Sequence, residues 1–310
     1  MSQMQVFRIH RFGGPETLLH ETASVPDPGP DDVLVKVAAA GLNPVDHKTR
    51  AGKYPLVRLD QLPYTLGRDC AGTVQEVVGP QDTVKAGQPV YAFVGQGQGT
   101  YAEYARVPRE AVAPKPESLD LTTAAAVPLA ALTAWQGLFD HGGLEAGQTV
   151  LIHAASGGVG HFAVQFAKAR GAQVIATASG DAMGFVRELG ADTVIDYRKQ
   201  RFEREAPPVD MVFDLVGGET QARSWPLVRE GGAFVSTLAE PSAREAEARG
   251  VRASRYTAQP DGAQLALIGR LIDAGKVRVH VSRVFDLAEM EAAQRALEAG
   301  HIRGKLVARW

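Results

Sequence analysis

Along residues 33–38 the β-branched Val33, Val35 and Val37 alternate with Leu34, Lys36 and Ala38, and that period of two predicts a strand. Short strands are also predicted at 71–78, 89–94 and 101–107, divided by Gly and Pro. With no long helices between them, they predict a compact β-rich domain over residues 1–121. The pattern then changes. A helix is predicted over 122–140, followed by strands at 149–153, 173–177, 193–196, 209–214, 233–237 and 251–256, with helices at 159–169 and 182–189 between the early ones. Six strands in β-α-β order predict an α/β fold with a doubly wound parallel sheet over residues 122–260. The remainder, residues 261–310, reads as a helix at 263–274, a strand-like segment at 277–285, a helix at 287–299 and an apolar tail at 306–310. A closing strand cannot easily extend a completed sheet, so this segment is expected to return to the β-rich domain.

The length of 310 residues suits two domains, and 45% hydrophobic with 22% charged residues suits globular ones. Thirty-three Lys and Arg against 35 Asp and Glu give a net charge of −2, so no global field draws the chain to nucleic acid or an anionic membrane. Neither partner is expected. The single cysteine, Cys70, excludes an internal disulfide and any multi-thiolate zinc site. Charges at Arg8, Arg11, Glu16 and Glu21 argue against a secretory signal, and no apolar run approaches the roughly 18 residues of a membrane span. A cytoplasmic location is expected.

The most informative segment follows the strand at 149–153. Residues 154–160 read AASGGVG and lead into a helix carrying Phe162, Ala163, Phe166 and Ala167, the context of a dinucleotide-binding turn. Ser156, Gly157, Gly158, Val159 and Gly160 are the candidate phosphate cradle. Gly157 and Gly158 would admit a pyrophosphate close to the backbone, and Gly160 would let the helix pack on the sheet. The helix N-terminus adds free N–H groups and a positive dipole end. Ala155 replaces the first glycine of the usual G-x-G-x-x-G, so a turn that binds nothing is the alternative.

An NAD site usually carries an acidic residue at the end of the next strand. Here Thr177, Ala178, Ser179 and Gly180 stand there, and a hydroxyl without a carboxylate favours NADPH. Thr177 and Ser179 are the candidates. Asp181 lies close by, and Ser179 reads equally well as the N-cap of the following helix.

With these residues in place, the chain resembles the zinc-independent quinone oxidoreductases of the medium-chain dehydrogenase/reductase superfamily, the group that includes zeta-crystallin. The marks are AGLNPVD at 40–46, GRDCAG at 67–72, LAALTAW at 129–135, the AASGGVG turn, ELGAD at 188–192, DLVGG at 214–218 and RGKL at 303–306. The resemblance implies a GroES-like catalytic domain joined to a Rossmann domain, and a homodimer. Zinc-dependent relatives carry a Cys at the position of Asn43 and a His at that of Arg68, so no metal site is expected. His47, His141 and His153 read as packing or surface residues. The resemblance further implies Asn43 at the nicotinamide end, Tyr54 beside it, Thr133 on the cofactor, and Tyr197 at the adenosine 2′-phosphate with Arg198 as a cationic helper. Val216 and Leu238 would pack near the nicotinamide ribose, and Lys305 would reach back from the C-terminal segment. Each has a plainer reading: a turn at Asn43, a half-buried aromatic at Tyr54, core at Val216 and Leu238, solvated charge at Arg198 and Lys305.

The implied reaction is hydride transfer from NADPH to a quinone or conjugated carbonyl, which needs alignment more than Lewis-acid help. Asn43 and Tyr54 are the catalytic candidates, Tyr54 or water being the proton donor. An enone or enoyl-thioester reductase shares every motif and differs in the wall formed by residues 58–64 and 95–100. A non-catalytic, crystallin-like NADPH-binding protein is the alternative of another class.

Overall fold

The computed structural model describes residues 2–79, 84–96 and 99–310. Loop 95–100 therefore falls partly outside the described residues, at 97 and 98. Strand β1 (Gln3–Ile9) buries Met4, Val6, Phe7 and Ile9 and pairs antiparallel with β2 (Leu18–Ser24). The strands β3 (Asp32–Leu42), β4 (Tyr64–Thr65), β5 (Asp69–Val77), β6 (Pro89–Phe93), β7 (Tyr104–Pro108) and β8 (Val112–Pro114) follow. Next come β9 (Thr149–Ile152), β10 (Gln173–Ala178), β11 (Thr193–Asp196), β12 (Val209–Asp214), β13 (Val228–Ser236) and β14 (Arg252–Arg255), and lastly β15 (Val281–Asp286) and β16 (Lys305–Arg309).

These elements form two compact units. One comprises the chain up to Leu132 with Gln259–Gly275 and Val279–Trp310; the other comprises Thr133–Ala258 with Lys276–Arg278.

The first unit carries a small sheet ordered β2-β1-β4 and a larger one ordered β15-β16-β3-β5-β6-β8, with β7 also on β3. Strand β16 runs antiparallel to β3, pairing Leu306 with Leu42 and Ala308 with Ala40. Register shifts between Leu34 and Val35 and between Val37 and Ala39 bend β3 against β5. Gly72 on β5 faces the backbone of Lys36 so closely that a Cβ would lie 2.1 Å from its carbonyl oxygen, so no larger residue fits. Ile9, Leu42, Leu66, Tyr101, Phe285 and Met290 form one apolar cluster, and Val33, Val35, Val37, Val90 and Val107 another. Each such fully buried side chain contributes about 1.5–3 kcal/mol.

The second unit is a six-stranded parallel sheet ordered β11-β10-β9-β12-β13-β14. All four residues of β9 are buried, as a strand covered on both faces requires. The chain winds outward from β9 through β10 and β11, then resumes on its other side at β12. The strand order thus reverses between β9 and β12, where parallel sheets bind ligands at their carboxyl ends.

The predicted helix over 122–140 is in fact three pieces: Leu121–Ala124, Pro128–Trp135 and a wider, π-type stretch at Gln136–His141. Pro128 has no N–H to continue the first piece, yet its fixed φ suits the first turn of the second.

Candidate functional site

In the second unit the carboxyl end of β9 runs into His153 and the glycine turn. Ala154 has φ +49, a left-handed conformation uncommon for a residue with a Cβ. This sharp bend puts the Ala154 carbonyl under Gly157, whose N–H donates to it at 3.0 Å. A Cβ at Gly160 would stand 2.3 Å from that oxygen and 2.7 Å from the Ala155 Cα, so only glycine fits. The helix Gly160–Ala169 begins there and buries Phe162, Ala163, Phe166 and Ala167. In its first turn the His161 and Ala163 N–H groups donate to the Gly157 and Val159 carbonyls at 3.0 Å, and Ser156, Gly157, Gly158 and Val159 lead into the helix N-terminus, the kind of place where backbone N–H groups meet an anion.

His153 is fully buried, with Nδ1 3.0 Å from the Thr177 hydroxyl and Nε2 2.9 Å from that of Ser224. Burial holds its pKa down to about 4, against an opposing pull from Asp214, so the ring is neutral. Thr177 is thus a core residue whose hydroxyl serves His153. Ser179 precedes the short turn Gly180–Ala182 with extended φ and ψ, but its side chain makes no capping hydrogen bond. Tyr197, 47% exposed, sits just after β11, its N–H on the Ala178 carbonyl. With Arg198, Lys199, Arg201, Glu219 and Arg223 it lines a surface hollow richer in cations than in acids. The fully buried Asp214, at the end of β12, accepts N–H groups of Val216 and Gly217 at 3.0 and 2.8 Å and the Ser236 hydroxyl at 2.9 Å. This clamp fixes the loops after β12 and β13 and leaves Val216 and Leu238 exposed at 47% and 43%. The Thr133 carbonyl accepts the Tyr256 hydroxyl.

In the first unit Asn43 stands at the N-terminus of the helix Pro44–Arg50 and is 1% exposed. Its backbone N–H donates to Asp46 Oδ2 at 2.8 Å, and its side-chain Nδ2 donates to Asp69 Oδ1 at 2.7 Å. Lys305 Nζ donates to the Leu42 carbonyl at 2.8 Å and to Asn43 Oδ1. Asp69 Oδ2 takes the Leu129 N–H at 3.0 Å, and Asp46 Oδ2 also accepts the Tyr101 hydroxyl at 2.8 Å. Burial raises Asp46 to about 6 and also raises Asp69, while it lowers Lys305. Lys305 is therefore no solvated charge: it fixes the Asn43 amide. Tyr54 is half-buried, the Arg68 guanidinium carbon lies 5.1 Å from its ring centroid, and its hydroxyl accepts Gln96 Nε2 at 3.0 Å.

Sequence reasoning missed Asp69, Lys199 and Arg223, and it treated Arg68 only as a replaced metal ligand. The one signal available for Asp69 and Arg68 was their place in the GRDCAG segment. Of the three histidines singled out, His141 stacks on Tyr256, and burial lowers His47 as it lowers His153. Among the described residues no cluster of three or more His, Cys, Asp or Glu could hold a metal ion. Nor does any described helix have the length and apolarity to cross a membrane.

The family model described as an alcohol dehydrogenase GroES-like domain matches residues 29–117, and that described as a zinc-binding dehydrogenase matches 189–307. The mitochondrial NAD(P)H oxidoreductase RTN4IP1 of Danio rerio is 35% identical, over 90% of this chain and 83% of its own length. The chloroplastic NADPH-dependent alkenal/one oxidoreductase of Arabidopsis thaliana is 34% identical over 98% of this chain and 79% of its own. The quinone oxidoreductase of Coxiella burnetii superposes with a TM-score of 0.92 at 36% identity, over the whole of both chains. This chain therefore belongs to the quinone oxidoreductase family of the medium-chain dehydrogenase/reductase superfamily.

Proposed function

We propose that this protein reduces a quinone or a related conjugated carbonyl compound with NADPH and without zinc. The observation that carries the reading is the carboxyl edge of the parallel sheet, where a glycine turn too tight for a Cβ at Gly160 lies beside apolar, exposed Val216 and Leu238. Such a groove suits a pyrophosphate at the helix N-terminus and a ribose on the apolar loops. Ser179, with no capping role, and the cationic hollow at Tyr197, Arg198 and Lys199 suit a 2′-phosphate. Ser156, Gly157, Gly158, Val159, Gly160, Thr133, Thr177, Tyr197, Val216 and Leu238 are the proposed cofactor residues of this unit. Thr177 acts by fixing His153 under the turn.

NADPH, when bound, supplies a hydride from nicotinamide C4. Asn43 is assigned to the reacting end, its amide fixed by Asp69 and Lys305 so that no reorientation is needed during reaction. Tyr54 passes a proton from solvent to the reduced acceptor. A zinc ion does not suit this donor set, because the Asn43 amide is committed to an acid and a lysine and Arg68 brings a cation. A cytoplasmic homodimer is part of the same reading.

The test follows the reduced-nicotinamide absorbance of metal-stripped protein with NADPH or NADH and 1,4-benzoquinone, 9,10-phenanthrenequinone or a simple enone. Oxidation of NADPH at least tenfold faster than NADH is expected, and the ranking of acceptors separates quinone from enone chemistry. A strict requirement for added zinc would sink the reading.

A further inference from the structure

Arg68 is a buried cation that makes no salt bridge among the described residues, although its charge is felt at Asp46. The residue is 3% exposed, and its Nη1 donates to the Gly95 carbonyl at 2.9 Å. Its Nη2 is buried and has no hydrogen-bond partner among the described residues. A guanidinium keeps its charge in proteins, and a buried donor left unpaired is costly, so such a group is retained where something else completes it. Its position is held from both sides. Gly67 before it has φ +91, and a Cβ there would stand 2.3 Å from Thr100 Oγ1; the Arg68 carbonyl accepts the Val94 N–H at 2.8 Å. Thr100 in turn donates to the Asp69 carbonyl at 3.0 Å. The guanidinium carbon lies 5.1 Å from the ring centroid of Tyr54, a half-buried aromatic of the kind on which a flat conjugated molecule stacks.

We propose that Arg68 is the electrophilic catalytic residue of the reduction, its Nη2–H donating to the acceptor oxygen on which negative charge collects. This rests on the hydride transfer proposed above. The hydride forms a new C–H bond at a conjugated carbon of the acceptor, and the displaced π pair ends on the carbonyl oxygen as an enolate or phenolate. Arg68 keeps its proton and stabilises that anion. A proton from solvent, passed by Tyr54, then neutralises it, so NADPH and one proton become NADP⁺ and the two-electron-reduced acceptor. A fixed donor aimed at developing charge in a dry site is worth about 10²- to 10³-fold in rate.

The experiment compares wild type with Arg68→Met and Arg68→Lys. In Arg68→Met, kcat/KM for the enone is expected to fall about 10²-fold, in line with loss of one oxyanion donor, with the loss in kcat. The loss should be smaller for 1,4-benzoquinone, which accepts a hydride more readily. NADPH affinity, read by nucleotide fluorescence, should stay unchanged, and Arg68→Lys should recover part of the rate. A second readout needs no turnover: 4-nitrophenol bound to wild type should ionise at lower pH than 4-nitrophenol free in solution, seen as the phenolate absorbance, and this shift should vanish in Arg68→Met. Should Arg68→Met not fold, Arg68→Lys and the wild-type nitrophenol titration decide. An active wild type with Arg68 variants within threefold of it, or nitrophenol that ionises as in free solution, would overturn the role of Arg68 alone. A wild type inactive with every acceptor would overturn the hydride-transfer reading as well.

Discussion

The two units bury polar side chains in opposite ways. Beneath the glycine turn the second unit buries a neutral imidazole between two hydroxyls, His153 between Thr177 and Ser224, while Asp214 is satisfied by backbone N–H groups and Ser236. The first unit instead gathers buried ionisable groups of both signs: Asp46, Asp69, Lys305 and Arg68 are all at most 3% exposed. Groups satisfied by hydroxyls and backbone N–H groups shape a backbone at modest cost, whereas a cluster of buried charges is costly and must be paired or put to use. The polar core of the second unit is thus architecture for a cofactor turn, and that of the first holds the amide and the cation to which the chemistry is assigned.

The largest effect is expected from breaking the charged core. Lys305→Met removes the ammonium that faces Asn43 and Asp69 and leaves a buried carboxylate uncompensated, which costs about 3–5 kcal/mol. Urea denaturation should show it. The double variant Lys305→Met with Asp69→Asn should recover part of the loss, since the two groups act on one another through Asn43. Additive losses would show that Lys305 acts only through its packing and its bond to Leu42.

The neutral core should respond next, through pH. The folded-state pKa of His153 is depressed to about 4 from an ordinary 6.5, so its stabilisation is complete above pH 6.5 and is lost as pH falls through the window toward 4. The loss is at most about 3 kcal/mol by pH 4. Asp46 works in the other direction. Its folded pKa is raised to about 6, so its contribution is most favourable below 3.8 and is lost as pH rises through 6. Hydrogen exchange between pH 7 and pH 4.5 should show the sheet around β9 losing protection while β3 and β5 keep theirs. Parallel losses in both units would contradict the assignment of charge states.

How much of this was legible beforehand depended on range. Strands β11 and β12 announce themselves by short apolar runs with turn residues at either side, and the turn at 154–160 by its neighbours in the chain. The hairpin of β1 and β2 went unread because Arg8, Glu21 and Gly13-Gly14 break the apolar pattern, although Met4, Val6, Phe7 and Ile9 point inward. Nothing local distinguishes the π-type stretch at Gln136–His141 from an ordinary helix, whereas Pro128 is a local mark of the earlier break inside 122–140. Site residues divide the same way. The glycine turn is a local backbone device, whereas Lys305 bonds a residue 262 positions away and Arg68 is recognisable as a buried cation only once Gly95 and Tyr54 are folded around it.

The smallest change in stability, with a distinctive pH signature, is expected from Asp46→Asn. The substitution removes a buried charge, which favours the fold at neutral pH, but it places an amide nitrogen where Asp46 Oδ1 has no hydrogen-bond partner among the described residues. Leaving such a donor unpaired costs about 1–3 kcal/mol, close to what the lost charge returns, so stability at pH 8 should shift by about 1 kcal/mol or less. The pH dependence should change even so. The variant's stability relative to wild type should rise as pH climbs from 4 through 6 and then level off, because only the wild type must give up a proton over that range. Denaturation midpoints at pH 4.5, 6 and 8 read this difference directly. A constant offset between the two proteins would mean that Asp46 is already ionised at pH 4.5 and that Tyr101 and the Asn43 N–H outweigh its burial.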